Sequence, residues 1–444
     1  MPVEIRTIGG YGEVGKNMAA IKVDDEVIIC DMGIHLENYI SYTQDEDILN
    51  IHPEELISSG SVPDIDAIKD WTDNVKAIVP THAHLDHIGA IPFLAGFYNA
   101  PVICTPFTGA VLDALISDAK ISFKNQIKIL NVNSSIKISN GITIEFISIT
   151  HSTPQTVIVV IHTKYGKIVY ANDFKFDKYP VVGTKPNIKR LKEIGEEKDT
   201  LCLIMDSLYA HDQRKMPSEM VARQMLKDVL LGVESEGKAV IITTFSSQIA
   251  RLKSIIDYGK KTERKIIFLG RSLHKYVSAA ELVNIVNFSE DIEIVKYSSK
   301  VRSMLNKVAR EGRDKFILVV TGHQGEQHAT LSRMIDGMFR FEKGDNMIFA
   351  SSVIPSPTNQ RNRRIIEDKL IAKGVRIFKD IHVSGHAAKE DHRDMIEILN
   401  PKHIIPAHSE INSMSALMEL CLDLGYDENN IHLMRNGNSI KLID

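Results

Sequence analysis

Residues 81–89 read Thr-His-Ala-His-Leu-Asp-His-Ile-Gly, and this stretch decides the fold. Four potential metal ligands stand within the six positions from His82 to His87. In a helix the side chains of His82 and His84 would point about 200° apart, so one ion can contact both only from a loop or a strand end. The apolar run at 77–80 predicts a strand, and the spacing of apolar residues over 88–97 predicts a helix that begins at Asp86 and His87. The sequence therefore predicts a metal site in the turn, although a polar loop that is merely rich in histidine would read the same way.

Three more ligand-type residues follow strand-like runs, each where the strand should end. Residues 144–150 lead to His151, 167–172 lead to Asp173, and 403–407 lead to His408. Taken singly, such a histidine is more often structural and such an aspartate a turn residue. Imidazole and carboxylate ligands without thiolate suit zinc or manganese, and seven of them are too many for one tetrahedral ion with an open position. Together they predict two ions.

Length and composition predict a packed globular protein of two domains. The chain has 444 residues, of which 43% are hydrophobic and 25% charged, with a formal net charge of -4. This charge gives no global attraction to nucleic acid, which would have to be held by metals or by a local basic patch such as Arg361, Arg363 and Arg364. A solvated helix start is the alternative interpretation of these arginines. The four cysteines form no CxxC pair and are predicted to be buried, reduced packing residues.

The middle of the chain changes from a β-rich pattern to alternating helices and strands. Helices are predicted at 216–232, 247–258 and 272–286, and strands at 238–245, 265–269, 315–320 and 346–350. This alternation predicts a second domain built on a mainly parallel sheet, in which ligands bind beyond the carboxyl ends of the strands. The loops at those ends are rich in glycine and hydroxyl groups, which is typical of phosphate-binding loops but also of ordinary turns.

The ligand pattern His-x-His-x-Asp-His, His, Asp and a distant His resembles the metallo-β-lactamase superfamily, whose α/β fold is an αββα sandwich. The resemblance implies two divalent ions, zinc with manganese or magnesium as alternatives. One ion would be held by His82, His84 and His151, the other by Asp86, His87 and His408, and Asp173 would bridge them. Asp31, which ends the run 27–30, matches a motif whose carboxylate orients the ligand loop, although a strand-end turn residue is an equal alternative.

An α/β domain inserted late into this sandwich resembles the β-CASP nucleases. Asp206, His386 and His408 match that family's motifs A, B and C. The runs 245–251, 321–326 and 382–386 resemble signatures of the ribonuclease J family, and the resemblance extends over essentially the whole chain. The resemblance implies a metallo-β-lactamase domain in two parts, 1–207 and 376–444, with a β-CASP insert at 208–375. The chain stops soon after His408, which points to the shorter, archaeal-type members and leaves open how the expected homodimer forms.

The resemblance further implies an enzyme that degrades single-stranded RNA from a 5′-monophosphate end, with catalytic roles for Asp86, Asp206 and His386. Its 5′-phosphate pocket would comprise Ser247, Ser352, His382, Ser384 and Gly385. A purely endonucleolytic relative, a small-molecule hydrolase and a non-catalytic RNA-binding scaffold are the alternatives. The large insert predicted between Asp206 and His382 argues against the small-molecule hydrolase, and the seven ligands argue against the scaffold. No apolar run reaches the roughly 18 residues that span a bilayer, and the first residues enter a strand directly, so we expect a cytoplasmic protein without membrane contact.

Overall fold

A computed structural model describes residues 3–42, 52–354 and 356–443. The chain forms two compact units. The first contains residues 1–178, 184–216 and 385–444, and the second contains 179–183 and 217–384. The predicted boundary after residue 375 precedes a short strand, Arg376–Phe378, that belongs to the parallel sheet of the second unit.

The first unit contains two β-sheets. The seven-stranded sheet has the order β19-β1-β2-β3-β4-β5-β6. Its strands are β1 Val3–Gly9, β2 Met18–Val23, β3 Glu26–Cys30, β4 Val75–Val79, β5 Val102–Cys104, β6 Ile127–Ile129 and β19 Ser439–Ile443. The six-stranded sheet has the order β18-β11-β10-β9-β8-β7. Its strands are β7 Ser134–Lys137, β8 Thr143–Ser148, β9 Val157–Thr163, β10 Gly166–Ala171, β11 Thr200–Asp206 and β18 His403–Ala407.

Both faces of the six-stranded sheet are buried along β9, β10 and β11, as their nearly continuous apolar sequences require. Because side chains alternate along a strand, Val157, Val159 and Ile161 of β9 join a core shared with the seven-stranded sheet. Ile158 and Val160 join a second core on the opposite face. That core includes side chains of three helices, α6 Ile188–Glu196, α13 Lys389–Leu399 and α14 Ile411–Asp423. This arrangement is the predicted αββα sandwich.

The remaining helices of the first unit are short, apart from one. They are α1 Leu36–Tyr42, α2 Pro53–Ser58, α3 Leu85–Ile88, α4 Ile91–Leu94 and α5 Pro106–Ala119. The single helix predicted over 88–97 is wrong in detail, because the structure breaks it between α3 and α4 and ends it in a 3₁₀ turn at Ala95–Phe97. The break has a cause in the sequence: Pro92 has no N–H for a bond to the preceding turn, and Ala90 N–H donates to Met32 O (3.0 Å).

The second unit is built on a six-stranded sheet in which every described pairing is parallel. Its order is β14-β13-β15-β12-β16-β17. The strands are β12 Val240–Thr243, β13 Lys265–Leu269, β14 Ile292–Val295, β15 Phe316–Val320, β16 Asn346–Phe349 and β17 Arg376–Phe378. The helices are α7 Glu219–Gly232, α8 Ile249–Gly259, α9 Arg271–Leu282, α10 Ser298–Glu311, α11 Thr330–Arg333 and α12 Pro357–Ala372. The predicted parallel α/β domain is thus confirmed, with β14, β17, α10, α11 and α12 added.

Two predictions about side chains have opposite outcomes here. All four cysteines are free and buried, as expected. Arg363, by contrast, belongs neither to a basic patch nor to a solvated helix start. Its guanidinium lies over the Phe349 ring (3.4 Å to the centroid), donates to His323 O (2.9 Å) and pairs with Glu367 (2.7 Å).

In the described part of the chain, no helix has the length and apolar character needed to cross a membrane.

Candidate metal centre

The seven predicted ligands come from strand ends of both sheets of the sandwich. His82 and His84 lie in the turn after β4, and Asp86 and His87 lie in α3 directly beyond it. The other three follow the six-stranded sheet: His151 comes after β8, Asp173 after β10, and His408 after β18. The structure brings all seven into two clusters, which are linked by contacts of Asp173 with His87 and His408.

The first cluster consists of His82, His84, His151 and Asp173. His84 Nδ1 lies 2.9 Å from His82 Nε2 and 3.2 Å from His151 Nε2. Asp173 Oδ2 lies 3.5 Å from His82 Nε2 and 3.4 Å from His151 Nε2. Ligands about 2.0–2.1 Å from one tetrahedral ion stand about 3.3–3.4 Å from one another. The spacing of these four atoms therefore fits a zinc-sized ion.

The second cluster consists of Asp86, His87 and His408, and it reaches the same Asp173. His87 Nε2 lies 3.3 Å from Asp173 Oδ2, while His408 Nε2 lies 3.8 Å from Asp173 Oδ1. Asp86 Oδ2 lies 3.8 Å from His87 Nε2 and 3.9 Å from His408 Nε2. These distances are wider than those of the first cluster. Asp173 is thus placed to contact an ion in each cluster.

The buried carboxylate of Asp173 gives an independent test of the fit. Its Oδ1 accepts no hydrogen bond from the described residues, although Asp173 is only 3% exposed. Burial opposes ionisation, but His408, His87 and His386 outweigh it and hold the pKa of Asp173 well below its ordinary value. An ionised, buried carboxylate with an unsatisfied oxygen calls for a cation. The donor set and this oxygen both fit a divalent metal ion.

Most of the imidazoles are held by their outer nitrogen, so that the other nitrogen faces the cluster. Nδ1–H of His87 donates to Asp31 Oδ2 (2.7 Å), that of His151 to Gly385 O (2.8 Å), and that of His408 to Asn17 Oδ1 (2.9 Å). Such contacts fix the tautomer in which Nε2 carries the lone pair. Burial also lowers the pKa of His82, of His151 and of His84, the last to about 4, which favours the neutral form that binds metals.

Asp31 lies beneath this site and contacts several residues of the ligand turn. It is fully buried and accepts hydrogen bonds from Thr81 N (2.7 Å) and Thr81 Oγ1 (3.0 Å) in addition to His87. Although burial favours the neutral imidazole, Asp173, Asp31 and Asp86 outweigh it and raise the pKa of His87. Asp31 thus contacts both the main chain of the ligand turn and one of its histidines.

Two further residues with implied catalytic roles form a pair beside the clusters. His386 Nδ1 lies 3.0 Å from Asp206 Oδ2, and its Nε2 faces Asp173 Oδ2 (3.9 Å). Burial lowers the pKa of His386, but the carboxylates of Asp173 and Asp206 outweigh it and raise the value to about 9. Asp206 Oδ1 accepts a hydrogen bond from Leu208 N (2.7 Å), which fixes the carboxylate, and its Oδ2 orients the imidazole of His386.

Sequence reasoning missed three polar or aromatic groups at this site. Asn17 contacts both histidines of the second cluster, at 3.1 Å from His87 Nε2 and 2.9 Å from His408 Nδ1. Ser152 Oγ lies 3.3 Å from His84 Nε2, and the Tyr209 ring lies 6.0 Å from the His386 ring. The sequence gives little local signal for them, because a lone Asn, Ser or Tyr is common in loops. Only the adjacency of Ser152 to His151 could have suggested one of them.

The residues implied for a 5′-phosphate pocket divide between the two units. Ser247, Ser352, His382 and Ser384 belong to the second unit, and Gly385 belongs to the first. A Cβ on Gly385 would lie 2.8 Å from both His151 Nδ1 and Ser152 N, so glycine is needed for the close approach to the predicted ligand His151.

Three family models match the chain. One for the beta-lactamase superfamily domain matches residues 64–231, and one for the Zn-dependent metallo-hydrolase RNA specificity domain matches residues 375–434. A third, for the ribonuclease J beta-CASP domain, matches residues 237–368. Fold, ligand clusters and matches together define a hydrolase of the metallo-β-lactamase superfamily with a β-CASP insert.

Relatives identify the family within this class. The chain is 45% identical to ribonuclease J of Methanocaldococcus jannaschii, covering 98% of both chains, and 39% identical to that of Pyrococcus abyssi, covering 99% of this chain and 97% of the other. Ribonuclease J 1 of Streptococcus pyogenes is 33% identical over 99% of this chain and 74% of its own length. The chain belongs to the ribonuclease J family.

A solved structure supports the fold alone. A protein of unknown function from Enterococcus faecalis V583 superposes with a TM-score of 0.66 at 17% identity, covering 99% of this chain and all of the other.

Proposed function

We propose that the protein is a 5′ to 3′ exoribonuclease that hydrolyses single-stranded RNA from a 5′-monophosphate end, with internal cleavage as a secondary activity. The observation that carries the proposal is the pair of His/Asp clusters sharing Asp173. The match to an RNA specificity domain and the ribonuclease J relatives support RNA as the substrate.

The clusters would hold two divalent ions, one at His82, His84, His151 and Asp173, the other at Asp86, His87, His408 and the same Asp173. When bound, such a pair lowers the pKa of water and neutralises charge on the attacking and leaving oxygens of a phosphoryl displacement. The chain itself supplies the orientation, because Asp31, Gly385 and Asn17 each fix the tautomer of one ligating histidine.

His386 would act on the leaving group of this reaction. Its Nδ1 is held by Asp206, so Nε2 is the nitrogen available to a substrate oxygen near Asp173. A proton or hydrogen bond delivered from Nε2 would stabilise charge on the departing oxygen. Asp206 would be a positioning residue in this reaction, since it contacts the imidazole rather than the ligand clusters.

The proposed phosphate pocket is supported by the topology of the second unit. β15, β12, β16 and β17 are neighbours in a parallel sheet, so the loops that follow them meet at one edge. Ser247 lies in the loop after β12, Ser352 after β16, and His382 and Ser384 after β17. Hydroxyl and imidazole groups gathered at such an edge suit a terminal phosphate.

Two side chains of the second unit tie these loops together. Arg251 is fully buried and donates to Ala350 O (2.5 Å) and Ile381 O (3.0 Å), while Glu219 pairs with it at 2.6 Å. Gln324 Nε2 donates to Ser352 O (3.1 Å), and its Oε1 accepts from Ile354 N (3.0 Å). The loops that carry Ser352 and His382 are therefore braced by buried hydrogen bonds, as a site that binds a terminal phosphate would require.

The experiment compares RNA of one sequence with a 5′-monophosphate or a 5′-triphosphate, labelled at either end. Ser247→Ala and His382→Ala should each reduce the preference for the monophosphate end by roughly ten- to a hundredfold, because a charge-assisted phosphate contact contributes about 1.5–3 kcal/mol. Internal cleavage should change little, since these residues are not metal ligands. Salt must be held constant, because phosphate binding depends on it.

The matched control is Ser289→Ala in the same unit. Ser289 is exposed and contacts Glu281 (2.7 Å), so the preference should be unchanged. An equal loss on both RNA ends in the Ser247 and His382 variants would contradict 5′-end recognition. A purely endonucleolytic enzyme would then be the better interpretation.

A further inference from the structure

The side chain of Asn17 contacts every member of the second cluster. Its Nδ2 donates to Asp86 O (3.0 Å) and lies 3.1 Å from His87 Nε2, while its Oδ1 lies 2.9 Å from His408 Nδ1. Asn17 is 1% exposed, so these contacts are not shared with bulk solvent. One amide thus touches all three residues, which come from two distant parts of the chain.

The chemistry of the amide fixes its orientation. A carbonyl oxygen can only accept, so the atom that faces Asp86 O must be Nδ2, and Oδ1 is left to accept from His408. His408 must then donate from Nδ1, which leaves its Nε2 lone pair facing Asp86 and Asp173. Asn17 therefore selects the ligating tautomer of His408.

The main chain of Asn17 holds the same region. Asn17 N donates to Asp86 O (2.9 Å) and Asn17 O accepts from Gly33 N (3.0 Å). A Cβ on Gly33 would lie 1.7 Å from Asp86 O, so the two segments are packed at the closest approach that glycine allows. His408 N donates to Gly10 O (2.6 Å), and Gly10 is close to Asn17 in the sequence.

The first cluster is held by other groups. His82 Nδ1 lies 3.0 Å from Thr81 Oγ1, and His151 Nδ1 donates to Gly385 O (2.8 Å). We propose that Asn17 is a positioning residue that assembles the Asp86, His87 and His408 site specifically, so that its loss weakens binding of the second ion and spares the first. This inference rests on the proposed two-ion centre.

The test counts and characterises bound metal without RNA. Metal-stripped parent and Asn17→Ala chains are titrated with Co²⁺, with occupancy from equilibrium dialysis and coordination from visible absorption. The parent should bind two ions, and the variant should bind the second roughly ten- to a hundredfold more weakly, the range for loss of a hydrogen-bond partner of a ligand. The affinity for the first ion should be unchanged.

Further variants separate positioning from folding. If Asn17→Ala fails to fold, Asn17→Ser takes its place. Serine keeps a polar group but cannot reach His408, so the second ion should again bind roughly ten- to a hundredfold more weakly than in the parent. The matched control is Asn125→Ala: Asn125 Nδ2 donates to Ala95 O (3.0 Å), Tyr98 O (2.9 Å) and Ala100 O (2.9 Å), so its loss should lower stability but leave two ions.

Two outcomes would overturn the inference: parental affinity for both ions in Asn17→Ala, or equal weakening of both. Each leaves the two-ion centre in place. A parent chain that binds a single ion would instead overturn the two-ion proposal, and this inference with it.

Discussion

Two residues of the metal centre have backbone in the left-handed region that favours glycine. Asp31 has φ 58° and His408 has φ 56°. Such a conformation costs of the order of 1–3 kcal/mol and persists where the surroundings over-determine it. Here Asp31 is held by the Thr81 N–H (2.7 Å), and His408 by Gly10 O (2.6 Å) and Asn17. The cost is offset by buried hydrogen bonds that also aim the carboxylate and the imidazole.

At the same scale, we expect His84→Ala and Asp86→Ala each to abolish hydrolysis. His84 belongs to the first cluster and Asp86 to the second, so each variant removes a ligand from a different ion. Loss of one ion should cost several kcal/mol of transition-state stabilisation. Single-turnover rates on RNA measure this loss, and circular dichroism checks that the fold is retained.

His432→Ala is the control for these variants, because His432 is half-buried and contacts His403 (3.0 Å) outside the ligand set. It should retain the parental rate. Near-normal turnover in the Asp86→Ala chain would contradict the two-metal mechanism.

At the scale of elements, a carboxylate ties two strands to a helix of the sandwich. Glu145 on β8 pairs with His162 on β9 (2.7 Å) and with Arg190 on α6 (2.7 Å). Burial favours the neutral acid, but the hydrogen bonds from His162 and Arg190 outweigh it and lower the pKa of Glu145 to about 2. When the pKa of a carboxyl is lower in the folded than in the unfolded state, its ionisation stabilises the folded state. This stabilisation is complete when the pH is above the unfolded pKa, and it disappears as the pH falls toward the folded pKa.

Glu145→Gln should therefore destabilise the first unit in a pH-dependent way. The loss should be about 1–3 kcal/mol near pH 7 and should shrink steadily between about pH 4.5 and pH 2, where the parent carboxylate takes up its proton. Urea denaturation of parent and variant across this range measures the difference. A difference that stays constant with pH would show that packing, rather than charge, accounts for the effect of the substitution.

The sequence predicted the bounds of some strands better than it predicted the contacts between distant residues. The strands 265–269 and 403–407 were predicted at the observed bounds, since short apolar runs ended by polar residues leave little choice. The helix after the ligand turn was predicted as continuous because its apolar spacing ignores the missing N–H of Pro92. Asn17 was not predicted because its role depends on contacts with Asp86 and His408, which lie far along the chain. Polar contacts between distant segments leave no local sequence pattern from which they could be predicted.

At the scale of the whole molecule, the two units have separate hydrophobic cores. The ligand clusters lie in the first unit, whose cores include side chains of β9, β10 and β11. The second unit has a core of its own, which includes β12, β13, β15 and β16. Ions that bind only the native first unit stabilise that unit by mass action, by about 4 kcal/mol when free metal is a thousandfold above its dissociation constant.

Metal removal should therefore loosen the two units unequally. In hydrogen exchange followed by mass spectrometry, chelator should accelerate exchange in peptides from β10 and β11, because Asp173 lies two residues beyond β10 and its charge loses its counter-ion. Peptides from β12 and β15 should exchange at the parental rate, since the predicted ligands lie outside their unit. Re-addition of zinc is the control and should restore the slow exchange. Equal acceleration in both units would contradict a stabilising role confined to the sandwich, and would mean that the metal sites hold the whole molecule together.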